Sequence, residues 1–454
     1  MDDRALTVHS VLYAPNRMII KENGEDMYLV LDPDTPNWLI VNAVGKDILA
    51  LCDGTRALKK IIEILCRKYC EVYDESLDHV LAFAAQAQKN QFLQESSFPP
   101  PSRVEKENAP LITLWINVTN TCNLRCVHCH LSSGVPFENE MTLQEIFKVI
   151  DEARELGTRE LVISGGEPLM RSDITSIVQY ASQRIGTVTM VTNGTLITDE
   201  LAEKLSSLQV KVQVSLDGAS KEIHESIRGK GTYEKTLEGV RALVAAGVHT
   251  RIAMTIMKRN IDEICEIAEL SKRVGVTMLH FPVLQSKGRA KGIQSKEQLE
   301  DEDYITIIRR IREIPDRMDM YVTTEEAFRA KIEKMSKIDL CGAGSSIMSI
   351  AADGNVYPCP GTHEEEFCAG NIREQSLKVI WKENKTLKKL RSLSVLDIEE
   401  CRTCELKFIC GGGCHVDKYH AYGRLDTPSA RCSGEKALYW YLFSEKMREA
   451  ATLK

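Results

Sequence analysis

Between residues 111 and about 320, short apolar runs alternate with longer segments whose apolar positions recur every three to four residues. The short runs, 112–119, 160–163, 187–192, 211–216, 250–257 and 277–282, are rich in Val, Ile and Leu and read as strands. The segments between them, 143–155, 173–182, 199–208, 234–246 and 261–274, carry the helical period. Five strand–helix repeats and a sixth strand predict an α/β unit built on a parallel sheet. In such a unit, chemistry gathers at the C-terminal ends of the strands.

The flanking segments follow other rules. In residues 1–95, short alternating runs at 17–21, 27–31 and 38–41 read as strands, and 43–52, 58–69 and 77–90 read as helices. Asp53-Gly54-Thr55 stops the first helix and offers Thr55 as N-cap of the second. Strands followed by three short helices predict a winged helix-turn-helix. Residues 96–110 hold three consecutive prolines among scattered charges and read as a semi-rigid linker. Residues 296–340 are charged and helix-rich. Their charge runs at 300–303 and 309–312 read as a solvated helix face, and 321–340 form a bridge to a C-terminal domain at 341–454.

Charge and cysteine content narrow the function. A net charge of −7 argues against nucleic acid as the main partner, and residues 1–95 hold more Asp and Glu than Lys and Arg. No run is long and apolar enough for a membrane helix, and the acidic start lacks a signal-peptide core. A cytoplasmic protein with no membrane partner is expected. Its fifteen cysteines should then be thiols, the clustered ones metal ligands and the scattered Cys52, Cys66, Cys70 and Cys265 core residues.

The first cluster is Cys122-x3-Cys126-x2-Cys129, directly after the first strand of the parallel unit. Thiolates are the ligands of iron–sulfur clusters. Three of them on a four-iron cluster leave one iron open. Ser164-Gly165-Gly166-Glu167-Pro168 follows the second strand, where two glycines allow close backbone approach and Glu167 offers a carboxylate to an ammonium group. Thr192-Asn193-Gly194 follows the third strand, and Ser215-Leu216-Asp217-Gly218 ends the fourth. Together these motifs resemble the radical S-adenosylmethionine (SAM) superfamily. The resemblance implies a partial, open (β/α)6 barrel and a [4Fe-4S] cluster on Cys122, Cys126 and Cys129. It also implies SAM contacts from Gly165, Gly166, Glu167, Asn193, Ser215 and Asp217. His128 stands where relatives often place an aromatic residue against adenine. His224, Arg228-Gly229 and Gly288-Arg289-Ala290 match family spacings too, the first three as organisers of the fourth loop. A surface loop explains 288–290 equally well.

From residue 341 the order Cys341-x12-Gly354-x4-Cys359, Cys401-x2-Cys404-x5-Cys410-x3-Cys414 and Cys432 resembles the SPASM extension of these enzymes. The resemblance implies two auxiliary [4Fe-4S] clusters, one on Cys401, Cys404, Cys410 and Cys432. The other, on Cys341, Cys359 and Cys414, is one ligand short; either Cys368 completes it or one iron is open to a substrate thiolate. A structural zinc ribbon is the rival reading. The pattern Asn42-x3-Lys46-Asp47-Ile48-Leu49-x-Leu51-Cys52-Asp53-Gly54 resembles PqqD-like domains, which bind the leader of a ribosomally made precursor peptide by strand addition.

The combined resemblance implies a radical SAM peptide maturase. A one-electron donor such as flavodoxin or ferredoxin would reduce the catalytic cluster, SAM would yield a 5′-deoxyadenosyl radical, and a precursor peptide would be cross-linked through a thioether or carbon–carbon bond. The auxiliary clusters would take the electron the substrate loses. Pro360 stands where sulfatase-maturing relatives have Asp, which argues against that activity. Two other readings stand beside it: oxidation of a small cofactor precursor or tetrapyrrole, and, from another class, a zinc-dependent winged-helix regulator.

Overall fold

The structure is a computed structural model and describes residues 6–24, 26–324 and 337–452. Its strands in chain order are β1 (Val11–Tyr13), β2 (Ile19–Glu22), β3 (Tyr28–Leu31), β4 (Trp38–Val41), β5 (Asp53–Ala57), β6 (Thr113–Asn117) and β7 (Glu160–Ser164). Then come β8 (Thr187–Thr192), β9 (Lys211–Ser215), β10 (Thr250–Ala253), β11 (Met278–Phe281), β12 (Tyr321–Thr324), β13 (Ile347–Ile350) and β14 (Val356–Tyr357).

The predicted parallel sheet is present and larger than the repeats alone indicated. β6 to β11 lie side by side in sequence order, all parallel, as expected from their helical crossovers. β12 extends this sheet in parallel beyond β11. On the opposite edge β13 pairs in parallel with β6, and β14 turns back antiparallel on it. The result is an open nine-stranded sheet. The bridge therefore contributes a strand, and the C-terminal domain begins by continuing the core sheet. The charged helix Asp301–Met318 buries Tyr304, Ile307, Ile308, Ile311 and Ile314 in the common core, so only its other face is solvated.

In the N-terminal unit β2, β3 and β4 form an antiparallel sheet, and the helices Ala43–Leu51, Leu58–Tyr69 and Tyr73–Lys89 pack beside it. Asn42 caps the first of these by accepting the Gly45 N–H at 2.9 Å. The Thr55 cap is not observed. Asp53–Ala57 is drawn into a strand by antiparallel pairing with β1, a tertiary demand that overrides the local turn signal. The Thr55 hydroxyl instead donates to Asp53, at 2.6 Å. Cys52 and Cys66 join the core as expected. Cys70 does not: it is exposed and ends its helix in a left-handed conformation.

The N-terminal unit is docked on the C-terminal domain. Leu29 and Leu31 belong to the main core rather than the unit's own. Trp38 packs edge-on against Phe443 of the long helix Cys432–Thr452, with ring centroids 5.5 Å apart. Lys407, only 3 % exposed, pairs with Asp34 at 2.7 Å. No described helix is long and apolar enough to cross a membrane. Replacing Asp34 by Ala strands the Lys407 ammonium and is expected to cost about 2 kcal/mol, read as a lower midpoint in urea unfolding. An unchanged midpoint would show that this pair does not hold the two domains together.

Candidate active site

The C-terminal ends of β6 to β11 open on one cavity of about 400 Å3. Cys122, Cys126 and Cys129 border it, with Gly165 and Gly166 after β7, Asn193 after β8, Ser215 at the end of β9, and His128. Four loops separated in sequence by up to ninety residues thus meet where the motifs predicted.

Backbone contacts fix these loops. Gly165 has φ +142, and a Cβ on Gly165 or Gly166 would lie 2.3 Å from the carbonyl oxygens of Thr119 and Thr121 respectively. The glycine loop therefore rides directly on the chain leading into the cysteine loop, where no side chain fits. The Asn193 amide donates to Asn123 Oδ1 at 2.9 Å, tying β8 to the cysteine loop. The 288–290 loop is no bystander. Arg289 Nε donates to the Cys126 carbonyl at 2.8 Å and Nη1 to the Ser133 carbonyl at 2.9 Å, clamping the cysteine loop from outside.

Two residues expected to contact SAM are buried and hydrogen-bonded within the protein. Glu167 is fully buried and does not line the cavity. Its oxygens accept from Thr192 Oγ1 at 2.7 Å, the Asn193 N–H at 2.7 Å and the Leu169 N–H at 3.2 Å. Asp217 is likewise at zero exposure, accepting from Arg228 Nε at 2.6 Å and the Thr255 N–H at 2.8 Å. Burial opposes its charge, but the Arg228 guanidinium holds its carboxyl below the usual carboxylate range. Both carboxylates accept hydrogen bonds from the protein and brace the loops that reach the cavity. Arg228 and His224 organise the fourth loop as anticipated: His224 Nδ1 accepts the Asp217 N–H at 3.3 Å. Arg228 also approaches Cys126 Sγ at 3.9 Å.

His128 does border the cavity, with Nε2 3.3 Å from Asp217 Oδ2 and Nδ1 without a hydrogen-bond partner. Burial pulls its pKa down to about 4, so the ring is neutral at physiological pH.

Several C-terminal cysteines influence one another electrostatically. Cys341 and Cys359 both act electrostatically on the Cys414 thiol. Cys401, Cys404, Cys410 and Cys432 act on one another. Cys368 packs near Tyr357, Phe367 and Tyr419 with its thiol 3.7 Å from the Gly370 carbonyl. Cys359 and Cys414 border the same cavity as the first three cysteines.

The donor set suits iron–sulfur clusters. None of these cysteines is paired in a disulfide. Burial pushes Cys401 up to about 11 and Cys410 and Cys414 well above the usual thiol value, so metal must displace their protons on binding. Among the described residues no group of three or more His, Cys, Asp or Glu side chains is placed to hold a metal ion.

Several cavity residues escaped the motif reading: Trp115, Asn117, Gln213 and His280. Their signal was a polar or aromatic residue inside an otherwise aliphatic strand, such as Gln213 between the buried Val212 and Val214.

Comparison with known proteins agrees with this architecture. The radical SAM superfamily model matches residues 116–271, the iron–sulfur cluster-binding SPASM model 341–405, and the coenzyme PQQ synthesis protein D model 28–93. An AdoMet-dependent heme synthase of Methanosarcina barkeri is 33% identical over 338 residues, covering 70% of this chain and 94% of that protein. The mycofactocin maturase MftC of Mycolicibacterium smegmatis is 31% identical over 349 residues, covering 74% and 86%. Among solved structures, Streptococcus suis SuiB bound to S-adenosylmethionine superposes with TM-score 0.62 at 16% identity, covering 92% of this chain and 99% of that one. An anSMEcpe structure with bound AdoMet gives TM-score 0.61 at 20% identity, covering 75% and 99%. The zinc-dependent regulator is thereby set aside. The chain belongs to the radical SAM superfamily: it is a radical SAM enzyme with a SPASM domain and a PqqD-like domain, and its cofactors are S-adenosylmethionine and iron–sulfur clusters.

Proposed function

We propose that this enzyme is a peptide maturase that oxidatively cross-links a ribosomally made precursor, with thioether formation favoured over a carbon–carbon bond. The observation that carries the reading is the PqqD-like unit, matched at 28–93 and docked through Trp38, Asp34 and Lys407 on the C-terminal domain. Such a unit offers sheet edges to which a leader can add as a strand, and its attachment would hold the following core peptide near the cavity. The similarity to a mycofactocin maturase supports the same reading.

In this proposal Cys122, Cys126 and Cys129 hold the catalytic cluster, and the Gly165–Gly166 backbone, Asn193, Ser215 and His128 form the SAM pocket. The two C-terminal sets hold the auxiliary clusters. Bound there, the cluster and SAM supply a 5′-deoxyadenosyl radical able to take a hydrogen atom from an unactivated carbon. The chain's own residues place the substrate: Trp115, Gln213 and His280 border the space beside the thiols. Cys359 and Cys414 border the same cavity and Cys368 does not, which supports an open auxiliary iron facing a substrate thiolate. The substrate loses two hydrogens, one as an atom and one as an electron and a proton. A carrier such as flavodoxin or ferredoxin would supply the initiating electron.

The relation to heme synthases supports a second reading, oxidation of a tetrapyrrole or small cofactor precursor. The cavity of about 400 Å3 lies toward the lower end of small-molecule sites, roughly 300–1,000 Å3.

Anaerobically reconstituted protein is expected to hold about twelve irons, three clusters of four; about four would remove both auxiliary clusters from the account. Incubated with SAM, reductant and a cysteine-containing precursor encoded nearby, it should shift that peptide by the mass of two hydrogens. Deleting residues 1–95 should abolish peptide binding and lower turnover at least tenfold while leaving SAM cleavage measurable. An unchanged peptide alongside dehydrogenation of a porphyrin precursor would overturn the peptide reading in favour of the second.

A further inference from the structure

The C-terminal domain contains a fully buried lysine that no family motif assigns. Lys418 lies on the helix His415–Tyr422, one turn after Cys414, with its backbone N–H on the Cys414 carbonyl at 3.2 Å. Its side chain is completely buried, among the largest at zero exposure in the molecule. Its ammonium nitrogen has no hydrogen-bond partner. Besides burial, the main ionisable influences on it are four cysteines, Cys341 and Cys414 from one set and Cys401 and Cys410 from the other. No carboxylate is among them.

An ammonium buried without an acceptor or counter-ion is among the costliest arrangements in a fold. Here the missing partner is supplied by chemistry already assigned to the site. A cysteine-bound four-iron cluster presents sulfur acceptors and gains negative charge on reduction. We propose that Lys418 donates hydrogen bonds to the sulfurs of both auxiliary clusters and raises their reduction potentials. This inference rests on the assignment of Cys341, Cys359, Cys414 and Cys401, Cys404, Cys410, Cys432 as auxiliary cluster sites.

The functional consequence follows from the electron balance. After hydrogen-atom removal the substrate must release one electron and one proton to reach a closed-shell cross-link. A positive charge shared by the two auxiliary sites favours uptake of that electron, which a one-electron carrier protein then removes. Hydrogen bonds to cluster sulfurs are among the means by which proteins set these potentials. Lys436 is different: burial apart, the cysteines acting on it are Cys401, Cys404 and Cys432, all of one set.

The test is a redox titration followed by electron paramagnetic resonance, on full-length reconstituted protein carrying Cys122→Ala, Cys126→Ala and Cys129→Ala so that only auxiliary signals remain. Lys418→Met should lower both auxiliary midpoints by at least the 59 mV that corresponds to a tenfold change in a one-electron equilibrium. Lys418→Arg should recover most of that shift. Full iron loading with unchanged midpoints in the Met variant would overturn the proposal. If the variants do not load iron, the Lys418-containing protein labelled with 15N-lysine decides. Pulsed resonance should show lysine-nitrogen coupling on the signals of both clusters, and its absence from the three-cysteine cluster, which Lys436 does not serve, would overturn the proposal. Protein with Lys418 intact that carries no auxiliary iron would instead refute the cluster assignment itself.

Discussion

A parallel sheet brings all its strand ends of one sense to one edge, and this constraint sets everything else in the molecule. β6 to β11 run in the same direction, so loops that are far apart in sequence leave the sheet together and meet over one cavity. Thiols that must surround a cluster need positions fixed from several directions. The sheet edge provides them through the Gly165–Gly166 backbone pressed on the chain before Cys122, the Asn193–Asn123 amide contact and the Arg289 clamp. The same sheet continues through β13 into the C-terminal domain, which places Cys359 and Cys414 on the far side of that cavity rather than on a separate body.

Buried charge supplies the second layer of organisation. Asp217 and Arg228 neutralise one another beneath the fourth loop, and Arg228 still reaches toward Cys126. Lys407 is neutralised by Asp34 across the domain junction. Lys418 is fully buried with no hydrogen-bond partner for its ammonium, which is why it points to a partner the polypeptide does not itself provide.

Much of this was legible in the chain. The parallel core announced itself through repeated strand–helix periods, and the cysteine spacings, through their resemblance to radical SAM and SPASM motifs, pointed to iron–sulfur chemistry. What escaped depends on contacts distant in sequence. Ile347–Ile350 is four residues long and becomes a strand because β6, more than two hundred residues earlier, pairs with it. Asp53–Ala57 reads locally as a turn and is extended by β1. Glu167 and Asp217 carry the right chemistry for cofactor contacts, but a sequence does not tell whether a carboxylate's oxygens are already occupied by neighbouring N–H groups. In strands buried on both faces, alternation likewise hides which side chains, such as Trp115 and Gln213, border the cavity.

The account stands or falls on whether one corner of the first cluster is left free for the sulfonium nucleotide by its three thiol ligands. The most direct measurement is 5′-deoxyadenosine release from SAM by reduced, anaerobic protein in which Cys122, Cys126 and Cys129 are all replaced by Ala. The prediction is complete loss of release, with about eight irons retained on the C-terminal cysteines. Release at the rate of the unaltered enzyme would contradict it.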